Sequence, residues 1–157
     1  MATFKQNASD FLAQDRIAVA GVSRSSDGTG NYIYKTLRSK GYQVFPINPL
    51  ASELEGDKCY PDLKAVPGEL DGVICVTRPE QTIQIVRECA ELGIPRIWMH
   101  ENAFAGTSST SVSTEAVKVC QENGIDIQIE LVKQNAANDM IGEIGRVMNK
   151  IMGRAQT

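Results

Sequence analysis

The chain has 157 residues, 42% of them hydrophobic and 22% charged, and a net charge of −3 at neutral pH. This length and balance predict one soluble domain, 1–157, large enough to bury a core. An isoelectric point near 5.2 excludes a global electrostatic case for nucleic acid or an anionic membrane surface. No run approaches the roughly 18 apolar residues of a membrane span.

The elements follow in chain order. Residues 9–15 read as a short helix, and the N-terminal residues before them lack the apolar core of a signal peptide. A strand is expected over 16–21. It runs into Gly21-Val22-Ser23-Arg24-Ser25-Ser26-Asp27-Gly28-Thr29-Gly30, and then into a helix over 31–40. Strand, Gly/Ser-rich loop and helix start together favour phosphate, because small residues allow close approach and a helix N-terminus attracts negative charge. The loop is not a Walker-type loop, since no Gly-Lys-Ser/Thr follows. It also departs from the dinucleotide fingerprint, because Ser23 stands where a second glycine belongs and Gly28 and Gly30 come late.

A second strand is expected over 42–47, ending in Pro46-Ile47-Asn48-Pro49. A dinucleotide site wants an acid here for the adenosine ribose. Asn48 brings no negative charge to repel a phosphate on that ribose, so the pair of strand ends favours a phosphorylated nucleotide over NAD. Cys59-Tyr60 suggests a brief edge strand, and Asp62–Val66 a helical turn. The third strand, 72–76, ends in Thr77-Arg78-Pro79, where Thr77 or Thr82 offers a hydroxyl and Arg78 a phosphate partner. Pro79 suits the first turn of a helix over 79–92.

The fourth strand, 95–99, carries Trp98, the only tryptophan, and leads to His100, the only histidine. The Ser/Thr-rich stretch from Gly106 to Ser113 reads as a mobile loop. A helix over 113–123 follows. The strand over 125–131 alternates as Ile125-Asp126-Ile127-Gln128-Ile129, the pattern of an edge strand with one wet face. A last helix, about 138–152, bears an apolar stripe of Ile141, Ile144, Met148 and Ile151. Gly41, Gly93 and Gly124 end three helices just before the next strand. The order predicts an α/β, Rossmann-like, doubly wound sheet of five or six mainly parallel strands with helices on both faces.

Cys59, Cys75, Cys89 and Cys120 are far apart and form no Cys-x-x-Cys pair, so buried free thiols and a cytoplasmic setting are expected. No metal site is expected, because no second histidine or paired cysteine supplies ligand spacing.

Taken together, Ala20-Gly21-Val22-Ser23-Arg24, Gly41–Pro49, Cys59–Leu63, Arg78–Thr82 and Ile97–His100 resemble the small single-domain CoA-binding protein family. That family is related to the N-terminal CoA-binding domain of the succinyl-CoA synthetase α subunit. The likeness covers roughly residues 10–130. It implies a Rossmann-like fold and coenzyme A or an acyl-CoA as ligand, and it does not imply CoA ligase activity; a binding module without catalysis of its own is the first expectation. Carried over by position, Gly21, Val22, Ser23 and Arg24 line the pyrophosphate loop. Asn48 and Pro49 flank the adenosine, Thr77, Arg78 and Pro79 form the opposite wall, and Trp98 and His100 lie toward the pantetheine arm. The chain departs from many relatives in a longer Phe104–Val112 loop and in Leu131–Asn135, where a Cys-Pro-Met-Met-like segment is usual. The competing readings are an NADP-binding enzyme or regulator, and an interaction protein with a vestigial nucleotide site; a homodimer or a protein partner stays open.

Overall fold

The computed structural model describes residues 10–25, 28–104 and 107–132; the helix expected over 138–152 lies outside them. The main sheet contains β1 (Arg16–Ala20), β2 (Gln43–Ile47), β5 (Gly72–Cys75), β6 (Arg96–Phe104), β7 (Thr107–Thr110) and β8 (Asp126–Val132). β3 (Glu53–Leu54) and β4 (Asp57–Lys58) form a separate small hairpin. The helices are α1 (Thr29–Ser39), α2 (Pro79–Leu92) and α3 (Thr114–Glu122), and residues 10–12 add a helical turn.

The parallel strands lie in the order β2-β1-β5-β6-β8. This is a doubly wound α/β sheet whose connections change direction between β1 and β5. Such a switch point opens a crevice beyond the carboxyl ends of the two strands.

Side chains alternate between the faces of a strand, and both faces are covered, so the strands are apolar nearly throughout. On one face Ile17, Val19, Ile74 and Trp98 pack with Ile33, Tyr34 and Leu37 of α1 and with Phe11 and Leu12. On the other, Ala18, Ala20, Val73, Cys75, Ile97 and Met99 pack with Val86 and Cys89 of α2 and Ala116 and Cys120 of α3. All four cysteines are buried free thiols, as expected. Gly93 ends α2 at φ 70°, and the amide of Ile94 returns to Cys89 O at 3.0 Å.

Three expectations need correction. The segment read as a mobile loop contains β7, which pairs antiparallel with an extension of β6 over Glu101–Phe104. Residues 101 and 102 of β6 also pair with β8, so β7 lies on the opposite edge, past the end of β5. Backbone groups there need partners, and a threonine-rich run is compatible with a strand. Second, β8 pairs only with β6 among the described residues, and its polar face is wet at Asp126, which is exposed, but not at Gln128. Gln128 stands opposite Trp98 and is 2% exposed. Third, the helical turn expected over 62–66 is a single non-helical turn, in which Val66 N–H donates to Leu63 O at 3.2 Å and Ala65 N–H to Asp62 Oδ1 at 2.9 Å. Tyr60 does extend the sheet, through a parallel bridge to Ile47.

Candidate functional site

The loop after β1 is built on two close approaches. Gly21 has φ 104°, and a Cβ there would lie 2.1 Å from the carbonyl oxygen of Val76. Gly30, in the first turn of α1, sits where a Cβ would lie 2.4 Å from the carbonyl oxygen of Gly21. The first and last glycines of the segment thus do what outer glycines of a phosphate fingerprint do. One makes the turn and the other lets helix and strand touch, with a longer excursion between them.

Asn31, wholly buried, holds the excursion in shape. Its Oδ1 accepts the backbone N–H of Ser23 at 2.9 Å, and its Nδ2 donates to Ser23 O at 2.7 Å. The Ser23 hydroxyl donates to Ser25 O at 2.7 Å. The Ser23 amide is therefore engaged, while the N–H groups of Val22, Arg24 and Ser25 have no partner among the described residues. The N-cap of α1 is Gly28, which supplies no side-chain cap. Uncapped first-turn amides and free loop amides at one point make a donor-rich, anion-attracting surface.

The β2 end forms the adjoining wall. Asn48 Nδ2 donates to Val22 O at 3.0 Å, and its Oδ1 accepts the Leu50 N–H at 2.8 Å. Its side chain thus joins the β1 loop to the β2 loop and fixes the Asn48–Leu50 turn. Its own amide donates to Tyr60 O at 2.9 Å.

The β5 end is equally well tied. Ser111 Oγ accepts the Thr77 N–H at 2.9 Å, and Ser111 N–H donates to His100 O at 2.8 Å. The hydroxyls of Thr77 and Thr82 are 2.8 Å apart, and Thr82 is fully buried. Arg78 caps α2, with Pro79 in its first turn and Gln81 Oε1 accepting the Arg78 N–H at 3.3 Å.

These strand ends enclose a cavity of about 690 Å³. Gly21, Val22, Ser23, Asn48, Pro49 and Thr77 all line it. Arg24 and Arg78 follow Ser23 and Thr77, are exposed, and make no ion pair among the described residues, but they are not part of the lining. Pro79 is not part of it either. Trp98 belongs to the packed face opposite the cavity, edge-on to Phe11 at 5.5 Å. His100 shares that face by strand alternation and is 4% exposed. Burial pushes the His100 pKa below the ordinary histidine value. Lys35 and Arg38 lie with the β3–β4 hairpin, near Glu55 and Asp57.

The rest of the lining comes from two places that motif reading passed over. Gln81, Gln84, Glu88 and Glu91 run along one side of α2, and Leu50, Asp62 and Lys64 come from the loops after β2 and β4. The helical spacing of the α2 residues was a usable signal, since it marks one stripe beside the buried Val86 and Cys89. Glu88 accepts the Leu63 N–H at 2.8 Å, and burial raises its pKa above the ordinary glutamate value. Lys64 and Arg87 are paired with Glu91 and Glu115. The cavity thus carries the free Val22 amide on its β1-loop side and a mixed set of charges, Lys64, Arg87, Glu88 and Glu91, on its α2 side.

A family model described as a CoA binding domain matches residues 15–131. An uncharacterized Bacillus subtilis protein, YneT, is 30% identical over 116 residues, which cover 74% of this chain and 80% of YneT. The alpha subunit of an ADP-forming acetate–CoA ligase II from Pyrococcus furiosus is 30% identical over 122 residues, 75% of this chain but only 27% of that subunit. A solved structure of a hypothetical protein from Pyrococcus horikoshii OT3 matches with a TM-score of 0.76 at 26% identity, covering 92% of each chain.

Proposed function

This chain belongs to the CoA binding domain family, and we propose that it binds coenzyme A, free or acylated, in the cavity at the ends of β1, β2 and β5. The observation that carries the reading is the compact loop after β1. Gly21, Val22 with its free amide, and Ser23 line a 690 Å³ cavity, and Gly30 packs the start of α1, which has no side-chain cap, against Gly21. The pyrophosphate sits against Gly21, Val22 and Ser23, with Arg24 reaching in from the rim. Asn48 and Pro49 shape the adenosine side, and Thr77 forms the facing wall, with Arg78 and Pro79 next to it in the chain but outside the lining.

Binding without catalysis by this chain is the reading we favour. Ser23 and Thr77 supply the only hydroxyls among the described lining residues, and both are held in internal hydrogen bonds. The likeness to part of a ligase subunit supports a shared ligand, whereas the ligase reaction belongs to a much longer protein.

A thermal-shift and calorimetric titration with coenzyme A, acetyl-CoA, dephospho-CoA, NAD and NADP tests this. Coenzyme A at a hundredfold its Kd stabilises the folded state by about 2.7 kcal/mol and raises Tm, because it binds only the native protein. Dephospho-CoA binding as well as coenzyme A assigns no role to the 3′-phosphate. Absence of any shift with coenzyme A and acetyl-CoA at millimolar concentration refutes the proposal, and a shift with NADP alone supports the competing nucleotide reading.

A further inference from the structure

The turn of the small hairpin contains a residue that the turn itself does not want. Glu55 has φ 51° and Gly56 φ 81°. They are the two loop residues between Leu54 and Asp57, which pair across the hairpin. A two-residue turn with both φ values positive selects Asn, Asp or Gly at its first position, and a long side chain there is strained. Glu55 is the only non-glycine residue with positive φ among the described residues.

What holds Glu55 there is α1. Arg38 Nη1 donates to Glu55 O at 2.7 Å, and Lys35 Nζ lies 3.9 Å from Glu55 Oε2. Asn31 Nδ2 donates to Glu55 Oε1 at 2.9 Å. Asn31, Lys35 and Arg38 are spaced to share one side of the helix. Arg38 and Tyr34 also bond Asp57 on the next strand, so the hairpin is clasped to α1 on both sides of its turn.

The contact to Asn31 reaches the cavity. Both hydrogens of the Asn31 amide are used, one by Glu55 Oε1 and one by Ser23 O, and its oxygen takes the Ser23 N–H. A carboxylate only accepts, so Glu55 demands the NH₂ end of Asn31. Reversing the amide would set donor against donor at Ser23 N and acceptor against acceptor at Glu55. Glu55 thereby reinforces the one orientation in which Asn31 holds Ser23, and Ser23 lines the cavity.

We propose that Glu55 is a positioning residue for the ligand of this cavity. Acting through Asn31, it keeps residues 22–25 in the shape that presents their free amides, and its backbone strain is retained for that link. The proposal rests on the coenzyme A reading for its affinity arm and stands independently of it for its structural arm. A residue that served only to form the turn would be better replaced by glycine, whereas a positioning residue would not.

The experiment compares wild type, Glu55→Gly and Glu55→Gln by Tm, by coenzyme A titration, and by amide hydrogen exchange at Ser23. Glu55→Gly is expected to hold or raise Tm while weakening coenzyme A binding by about fivefold, the loss of one hydrogen bond's net worth. It also speeds exchange of the Ser23 amide. Glu55→Gln keeps an acceptor for Asn31 and restores affinity and protection to within about twofold of wild type. Unchanged affinity and unchanged Ser23 protection in Glu55→Gly overturn the proposal. So does a joint loss of Tm and affinity that Glu55→Gln does not repair, since an acceptor for Asn31 is then not what Glu55 supplies. If wild type fails to bind coenzyme A, the functional reading falls, and Ser23 exchange still decides the Glu55–Asn31–Ser23 link.

Discussion

Gly30 of α1 lies against Gly21 at the end of β1 so closely that a Cβ on Gly30 would stand 2.4 Å from the Gly21 carbonyl oxygen. Gly21 in turn lies against Val76 at the end of β5, with its own Cβ position 2.1 Å from the Val76 oxygen. Helix, first strand and third parallel strand therefore meet backbone to backbone at the cavity wall. Gly21→Ala and Gly30→Ala are each expected to cost about 2–4 kcal/mol in urea unfolding, because the obstacle is backbone that cannot swing away. Gly41→Ala is the control. It has φ 93° but nothing within 4 Å, so only the left-handed conformation is penalised, at about 1–2 kcal/mol.

Asn48 tests whether the β2 wall matters by shape or by charge. Asn48→Ala removes the bonds to Val22 O and Leu50 N and is expected to cost about 1–2 kcal/mol of stability, with weaker coenzyme A binding. Asn48→Asp keeps the acceptor for Leu50 but sets a carboxylate against the Val22 carbonyl and beside the proposed adenosine. It is expected to bind coenzyme A less well than Asn48→Ala in calorimetry. Equal affinity in the two variants removes the electrostatic part of the argument.

His100 makes stability pH-dependent. Its folded pKa is lowered from 6.5, chiefly by burial. Between the lowered folded value and 6.5 the unfolded chain binds the extra proton, so stability is complete above 6.5 and is lost as pH falls below it. Denaturant midpoints taken from about pH 7 to about pH 5 are expected to decline in wild type and to flatten in His100→Phe, which has no proton to gain. Asp57 acts further toward acid, because its bonds to Tyr34 and Arg38 lower its pKa from 3.8 and its contribution is lost only as pH falls through that lower range.

Gln128 presents a different case. Both polar atoms of its amide are buried and lack a partner among the described residues, as is the indole nitrogen of Trp98 opposite it. A buried unpaired amide is unfavourable, and methionine has nearly its shape. Gln128→Met is expected to raise stability by about 1 kcal/mol in equilibrium unfolding. A fall instead would reveal a hydrogen-bonding partner for the amide, a bound water included.

Much of the architecture is local enough to read along the chain. Ile17–Ala20, Val73–Cys75 and Ile97–Met99 are short apolar runs that only a sheet covered on both sides can bury, and Gly93 stops α2 where the helical pattern ends. The same holds for the part of the cavity made from strand ends. Gly21–Ser23, Asn48, Pro49 and Thr77 all lie within three residues of a strand end, and parallel strands end on one side of a sheet. Their convergence follows from topology alone.

The rest required the third dimension. Trp98 and His100 also stand at a strand end, but strand alternation turns their side chains to the face away from the cavity. Which parity faces which helix is set by register and crossover, not by residue type. Ser108 and Ser109 read as loop until β6 outran β5 and left an edge for β7 to pair. Glu88, Lys64 and Leu50 line the cavity because a turn and a helix side are brought over it from distant positions in the chain. Glu55 is an acid in a turn until Asn31, 24 residues earlier, is seen to donate to it. The central strands and the helices that cover them are decided by neighbours within a few residues, so the chain carries them openly, whereas β7 exists only through its pairing with β6. The partners of Asn31, Asn48 and Gln128 are decided by contacts between segments far apart in sequence, which exist only once the sheet has formed.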